Sequence, residues 1–390
     1  MNQKTRDSFP DILRGFALLG IAMVNVQYFA TDTISGFEMG DLTNPANSAA
    51  MFIVAWLFQS KFYLLFSFLF GYSAHYVMRG EKSNRNRWVG RSIGLILLGV
   101  IHFVFLFFGD ILFLYGIFAL VLLAFYFRKE KTIKRWAITI FSISGVLFTL
   151  AALLTLVGEG LLASKGKTIP TDGALVTNLN SALTSGTFLE IAAARLEHYL
   201  IVAPQGFLLQ GPLVLVAFLV GVLVARKDGL GAGADPGLMR RYAKWGLLIG
   251  LPLQAFAAYL FVANAAAETY SFGILLSALA INFITAPILS AGYLGALWLL
   301  AQKLGDIKLL SAAGRHSLSI YLGQSVVFST LFSAWGVGLF AELEIWLVAV
   351  IAALVWLGLS LLAVVNLKFR DRGPMEALLT NFSRLFVKKS

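Results

Sequence analysis

Apolar runs of about twenty residues, separated by short basic turns, recur along this chain, and that is the length needed to cross the hydrocarbon core of a bilayer. In that solvent every backbone N–H and C=O must be satisfied internally, so an isolated apolar run has to be helical. Ten stretches qualify: 11–30, 49–78, 88–108, 110–127, 133–157, 199–225, 242–263, 270–302, 316–339 and 344–367. The second and eighth are long for one crossing and allow a break near Lys61 or Pro287. Composition agrees, since only 13% of the 390 residues are charged against about one quarter in a soluble domain. Mean hydropathy is +0.80. The expected fold is an all-α, polytopic membrane bundle of about ten transmembrane helices, with residues 1–390 forming a single integral membrane domain.

Lys and Arg set the orientation. With the N-terminus cytoplasmic, all but Lys61, Lys165, Lys167 and Arg195 of the 31 basic residues fall in cytoplasmic segments, and both termini lie inside. Residues 1–10 then form a cytoplasmic N-terminus and 368–390 a cytoplasmic tail. Residues 158–198 are exterior, with 188–198 expected as a short amphipathic helix on the outer membrane surface. The opening MNQKTRDSFPDILRG resembles a signal peptide's basic region but lacks a small-x-small cleavage site, so it is read as leading into an uncleaved first span. The net charge of +11 is accounted for by topology and by contact with anionic lipid headgroups, not nucleic acid. Absence of cysteine excludes disulfides, Cys-ligated zinc and thiol nucleophiles.

Ionisable groups inside such spans are costly and mark functional paths. The stretch IHFVFLFFGDILFLYG holds His102 and, past a turn at Gly109, Asp110. Arg91 and His102, eleven residues apart, share a helix face about 16 Å apart along the axis. Arg14 and Asn25 repeat that spacing on the first span, with Asp11 one turn before Arg14. Lys61 lies deep in the second span, with Tyr72 eleven residues on and His75 beyond it. His198 and Gln205 are seven apart, and Pro204 beside them frees a backbone carbonyl. In GRHSLSIYLGQS, Ser317, Tyr321 and Gln324 share a face, with Arg315 and His316 at the inner end. The four histidines lie on different spans without ligand spacing, so no metal site is expected.

The segments DILRGFALLGIAMVNVQ, KFYLLFSFLFG, the GVIHFVFLFFGDILFLYG hairpin, GRHSLSIYLGQS and GPMEALL, in that order, resemble the YeiB family of bacterial membrane proteins, a domain of unknown function. The tail departs from the family pattern, since Ala377, Leu378, Leu379 and Thr380 replace an aromatic pair and an arginine. The resemblance implies the bacterial cytoplasmic (inner) membrane. More distantly the family is similar to transmembrane acyltransferases such as heparan-α-glucosaminide N-acetyltransferase, whose acidic, Arg-Gly and Asn opening is matched by Asp11, Arg14, Gly15 and Asn25. The histidine proposed as catalytic there follows the first span, where TDTISGFEMGDLTNPANS has none. A histidine from elsewhere, such as His102, has to serve.

The function expected on these grounds is acyl transfer, from a cytosolic CoA thioester, acetyl-CoA or another acyl-CoA, to a small-molecule, sugar or lipid acceptor at or beyond the outer face. Arg14, Arg87, Arg91 and Arg315 would grip the donor phosphates. His102 would be the base and Asp110 its orienting carboxylate. Asn25 or Lys61 would donate to the oxyanion, and His198, Gln205, Tyr321 and Gln324 would line the acceptor site. The alternative is a proton-coupled small-molecule transporter using the same Lys, His and Asp residues, with broken spans at Pro204 and Pro287. Oligomeric state is open, a homo-oligomer included.

Overall fold

A computed structural model describes residues 7–31, 41–167 and 174–387. Lys4, Arg6, Lys388 and Lys389 of the basic count lie outside the described residues, as do 32–40, within the histidine-free stretch, and 168–173 of the expected exterior segment. The described secondary structure is helical throughout. It begins with α1 (Phe9–Asn25), α2 (Gln27–Ala30), α3 (Pro45–Ile53), α4 (Lys61–Met78), α5 (Arg85–Phe105) and α6 (Leu112–Tyr126). Then follow α7 (Glu130–Ala163), α8 (Ala174–Ser185), α9 (Phe188–Leu209), α10 (Gly211–Arg226) and α11 (Pro236–Ala265). The last are α12 (Phe272–Leu304), α13 (Lys308–Arg315), α14 (Ser317–Phe332), α15 (Ile345–Asn366) and α16 (Pro374–Arg384).

Seven segments are long and apolar enough to cross a membrane: α1–α2, α3–α4, α5, α7, α11, α12 and α15. An eighth arises if α9 and α10, bent by 49° at their junction, count as one span. Helices α6 and α14 are apolar but shorter. The chain is thus an integral membrane protein by length and composition of its helices.

The two long spans behave differently. Helix α12 runs without interruption through Pro287. The α3–α4 span is broken, because a π-helical turn at Val54–Phe58 is followed by Ser60 with φ of +69°. A serine in that left-handed region stores strain, a feature concentrated at functional sites. The expected surface helix at 188–198 also differs: a capping box at Thr187 and Glu190 starts α9, which continues as one helix to Leu209 with Pro204 inside it. Helix α8 packs through Leu179 and Leu183 against Ile191 and Phe340.

Small residues bring backbones together where side chains would keep helices apart. A Cβ on Gly71 would overlap the Phe218 backbone of α10, and one on Gly246 would meet Gly292 of α12. By contrast, only 11% of the apolar window of α7 is buried, and Leu147, Leu154 and Val157 are exposed along it, so α7 is a lipid-facing outer helix. The bundle has two distinct ends. A basic end gathers the starts of α1 and α5 with α13 and α16; the opposite end holds the α5–α6 turn, α8 and the 333–344 loop, where the Ala341 N–H donates to Ala30 O at 2.8 Å.

Candidate functional site

The α5–α6 hairpin builds the first half of the site. Leu106 and Phe107 N–H both return to the His102 carbonyl, which ends α5 in a tight turn. The turn brings Asp110 back beneath the helix it has just left. His102 Nδ1 lies 2.7 Å from Asp110 Oδ1, and Asp110 Oδ2 accepts the Phe113 N–H at 2.7 Å, capping α6. Both side chains are sealed from solvent. This geometry makes Nδ1 the protonated nitrogen, since a carboxylate accepts only, and leaves Nε2 as the basic lone pair. Nε2 is buried and has no hydrogen-bond partner.

The Tyr321 ring of α14 lies 5.1 Å from the His102 ring. Its hydroxyl is turned toward the Ile111 backbone without a hydrogen bond of full geometry. Asp110 and Tyr321 form part of the wall of a cavity of about 420 Å³. Asn25, Ser60, Tyr63, Tyr199 and Gln205 also line it. His102 stands one layer behind this wall, between Asp110, Tyr321 and the Phe107 ring. On the side toward the basic end, the Phe62 ring fills the notch left by Gly20 and packs at a tilt against Phe16 and Tyr293, closing the cavity floor.

The remaining expected residues divide by position. Asn25 and Gln205 face the cavity with Asp110 and Tyr321. Lys61 does not: its side chain is fully buried and its Nζ donates to Ala55 O at 2.9 Å, inside the π-helical turn. His198 does not line the cavity but packs edge-on at 4.8 Å behind Phe108, which does. Gln324 donates to the Leu18 carbonyl at 3.5 Å and ties α14 to α1.

At the basic end Asp11 gathers two arginines, with Arg14 Nη1 at 2.8 Å and Arg315 Nε at 3.7 Å. Arg91 lies over the Phe70 ring, its Nε buried and without a hydrogen-bond partner. Arg14, Arg87 and Glu376 are the charges that act on it. Glu376 belongs to the tail and seats its carboxylate on the start of α14, accepting Leu318 N–H at 2.6 Å and Ser319 Oγ–H at 2.5 Å. That is the favoured place for a negative charge on a helix.

The sequence leaves Arg195 among the four basic residues outside the cytoplasmic segments, with no role expected for it. It is 2% exposed, and its guanidinium donates to Phe105 O at 2.7 Å and to Ser329 and Ser333 Oγ. It therefore holds the last turn of α5, directly after His102, against α14. Ser60, Tyr63 and Tyr199 also face the cavity, and no charged residue at helical spacing on their own expected spans points to them in the sequence; Ser60 comes there through the chain break at φ +69°. Among the described residues no three His, Asp or Glu side chains converge as metal ligands would.

Residues 224–385 match the family described as Protein of unknown function (DUF418). That region holds Arg315, Tyr321 and Glu376 and leaves His102 and Asp110 outside it. Over 358 residues the chain is 28% identical to the uncharacterized protein YxaH of Bacillus subtilis, covering 85% of this chain and 83% of YxaH. Over 394 aligned positions it is 27% identical to the uncharacterized protein YeiB of Escherichia coli, covering 94% of each. No solved structure matches.

Proposed function

We propose that this chain, a YeiB-type protein carrying the DUF418 region, is a membrane-embedded acyltransferase of the bacterial inner membrane. In this reading α6, α14 and the bent α9–α10 pair join the seven long spans as crossings, making ten, and both termini are cytoplasmic. The basic end then faces the cytosol and the cavity belongs to the outer half.

One observation carries the reading: a buried histidine whose Nδ1 is fixed on a carboxylate while its Nε2 is left without a partner. That arrangement is what a general base requires, an oriented imidazole with its lone pair free. The acceptor would enter the cavity past Asn25 and Gln205 and reach Nε2 by displacing the Tyr321 ring. Its O–H or N–H proton passes to His102 Nε2 as the acceptor atom bonds to the thioester carbonyl carbon. The C–S bond breaks, and the imidazolium returns the proton to the leaving thiolate. Asn25, on the cavity wall, is the side chain available to stabilise the oxyanion.

Donor phosphates fit the basic end, where Arg91 Nε lacks an acceptor. Arg14 and Arg315 are shared with Asp11, so they serve a donor only in part. Phe62 must swing off Gly20 for a thioester arm to pass from this end to the cavity.

A second reading, proton-coupled transport, is favoured by the two chain breaks beside the cavity, at Ser60 and at the 49° bend after Leu209. Thermal melting of the purified protein with acetyl-CoA separates the two. Acyl transfer predicts a raised melting temperature and release of CoA thiol in vesicles, read cleanly because the chain has no cysteine. His102→Ala is expected to abolish thiol release while keeping the acetyl-CoA stabilisation. No acetyl-CoA effect, together with uptake driven by a proton gradient, would overturn the enzyme reading.

A further inference from the structure

A second hollow, of about 280 Å³, lies toward the basic end between α4, α10, α11 and α12. Its walls are apolar: Leu64 and Phe68 from α4, Val216 and Val220 from α10, Met239 from α11 and Leu294 from α12 are typical. Ser290 in its floor is satisfied, since its hydroxyl donates to Lys61 O at 3.1 Å. Val220, Leu238 and Tyr242 at its rim are each 39% exposed, so the hollow opens sideways, between α10 and α11, onto the surface that meets lipid. An apolar void of this kind does not hold water. Left empty it forfeits the dispersion contacts of its lining.

The rim continues into the α10–α11 turn and the first turns of α11. There Lys227 pairs with Glu130 at 3.7 Å, and Arg240, Arg241 and Lys244 are exposed and outnumber Asp228 and Asp235. Lys244 additionally lies 5.0 Å from the Trp245 ring, an aromatic that anchors at the headgroup level. Basic residues at the mouth of a cleft between membrane helices select anionic headgroups.

We propose that this hollow binds one acyl chain of an anionic phospholipid from the leaflet at the basic end, with the headgroup on the Arg240–Lys244 side of the rim. The site is separate from the His102 cavity and rests on the placement of the chain in a bilayer, not on acyl transfer.

The test uses the full chain in vesicles of phosphatidylglycerol and phosphatidylcholine doped with phosphatidylglycerol that carries a photoreactive group midway along one acyl chain. Cross-links are expected to concentrate on Leu64–Phe68, Val216–Val224 and Pro287–Leu294. Ala291→Phe and, independently, Val216→Trp fill the hollow and are expected to remove those cross-links while leaving labelling of the exposed face of α7 unchanged. Melting in detergent reports that each variant is folded. The double variant Arg241→Glu, Lys244→Glu is expected to lower the preference for the phosphatidylglycerol probe over its phosphatidylcholine counterpart by roughly tenfold or more. Labelling spread evenly over all lipid-facing helices, or unchanged in both filled variants, would show annular lipid only and overturn the site. A phosphatidylglycerol preference that is unchanged in the double variant would overturn the headgroup assignment.

Discussion

His102 and Asp110 are eight residues apart in the sequence and 2.7 Å apart in space, and the contact depends on the turn between them. Asp110→Asn keeps an acceptor for the Phe113 N–H but replaces the carboxylate that fixes the His102 tautomer. On the acyl-transfer reading, turnover is expected to fall by about 10²- to 10⁴-fold, with melting little changed, in a vesicle assay of thiol release. This pair was legible in the sequence because the desolvation of a buried imidazole demands partners. Lys61 shows the limit of the same argument. Its burial was legible, yet its partner is a backbone carbonyl exposed by the π-helical turn, and no side-chain pattern announces such a turn. Arg195 was hidden for a related reason: its partners are a carbonyl and two serine hydroxyls, none of them charged.

The helices were legible wherever one apolar run made one crossing, as in α5, α11 and α15. Breaks were harder to place. Pro287 remains inside an unbroken α12, whose neighbours α11 and α7 pack against it, whereas the chain yields at Ser60. The contact between α4 and α10 shows what fixes helix spacing. Gly71→Ala would drive a methyl into the Phe218 backbone and Gly221→Ala one into Phe68 O, and neither backbone can step aside cheaply. Each is expected to destabilise the protein by about 1–3 kcal/mol, the range for overpacking. Gly358→Ala is the control, since nothing lies within 4 Å of its added carbon. Thermal melting of the three variants in one detergent checks the ordering.

The placement of charge along the complete chain makes a prediction that no single helix makes. Because cysteine is absent, one introduced thiol reports one location. Ser83→Cys, in the exposed turn between α4 and α5, is expected to react with an impermeant thiol reagent only after the cells are opened. Ser164→Cys, exposed just past α7, is expected to react in intact cells. The reverse pattern would invert the bundle and move the His102 cavity to the cytosolic half. The all-helical membrane architecture was legible because lipid admits few structures. The closed floor at Phe62 was not, since it depends on how three aromatic rings from α1, α4 and α12 meet.

Glu376 sits on the opening turn of α14, and Tyr321 lies only about 6 Å beyond that helix's first residue along its axis. Helix α16 is thus a peg under the turn that directly precedes the one carrying the ring beside His102. Trimming the chain after Asp371 would unseat it, and an affinity handle fused to the tail would pull on the same joint. A preparation made either way reports on a protein whose Tyr321 ring has lost its footing.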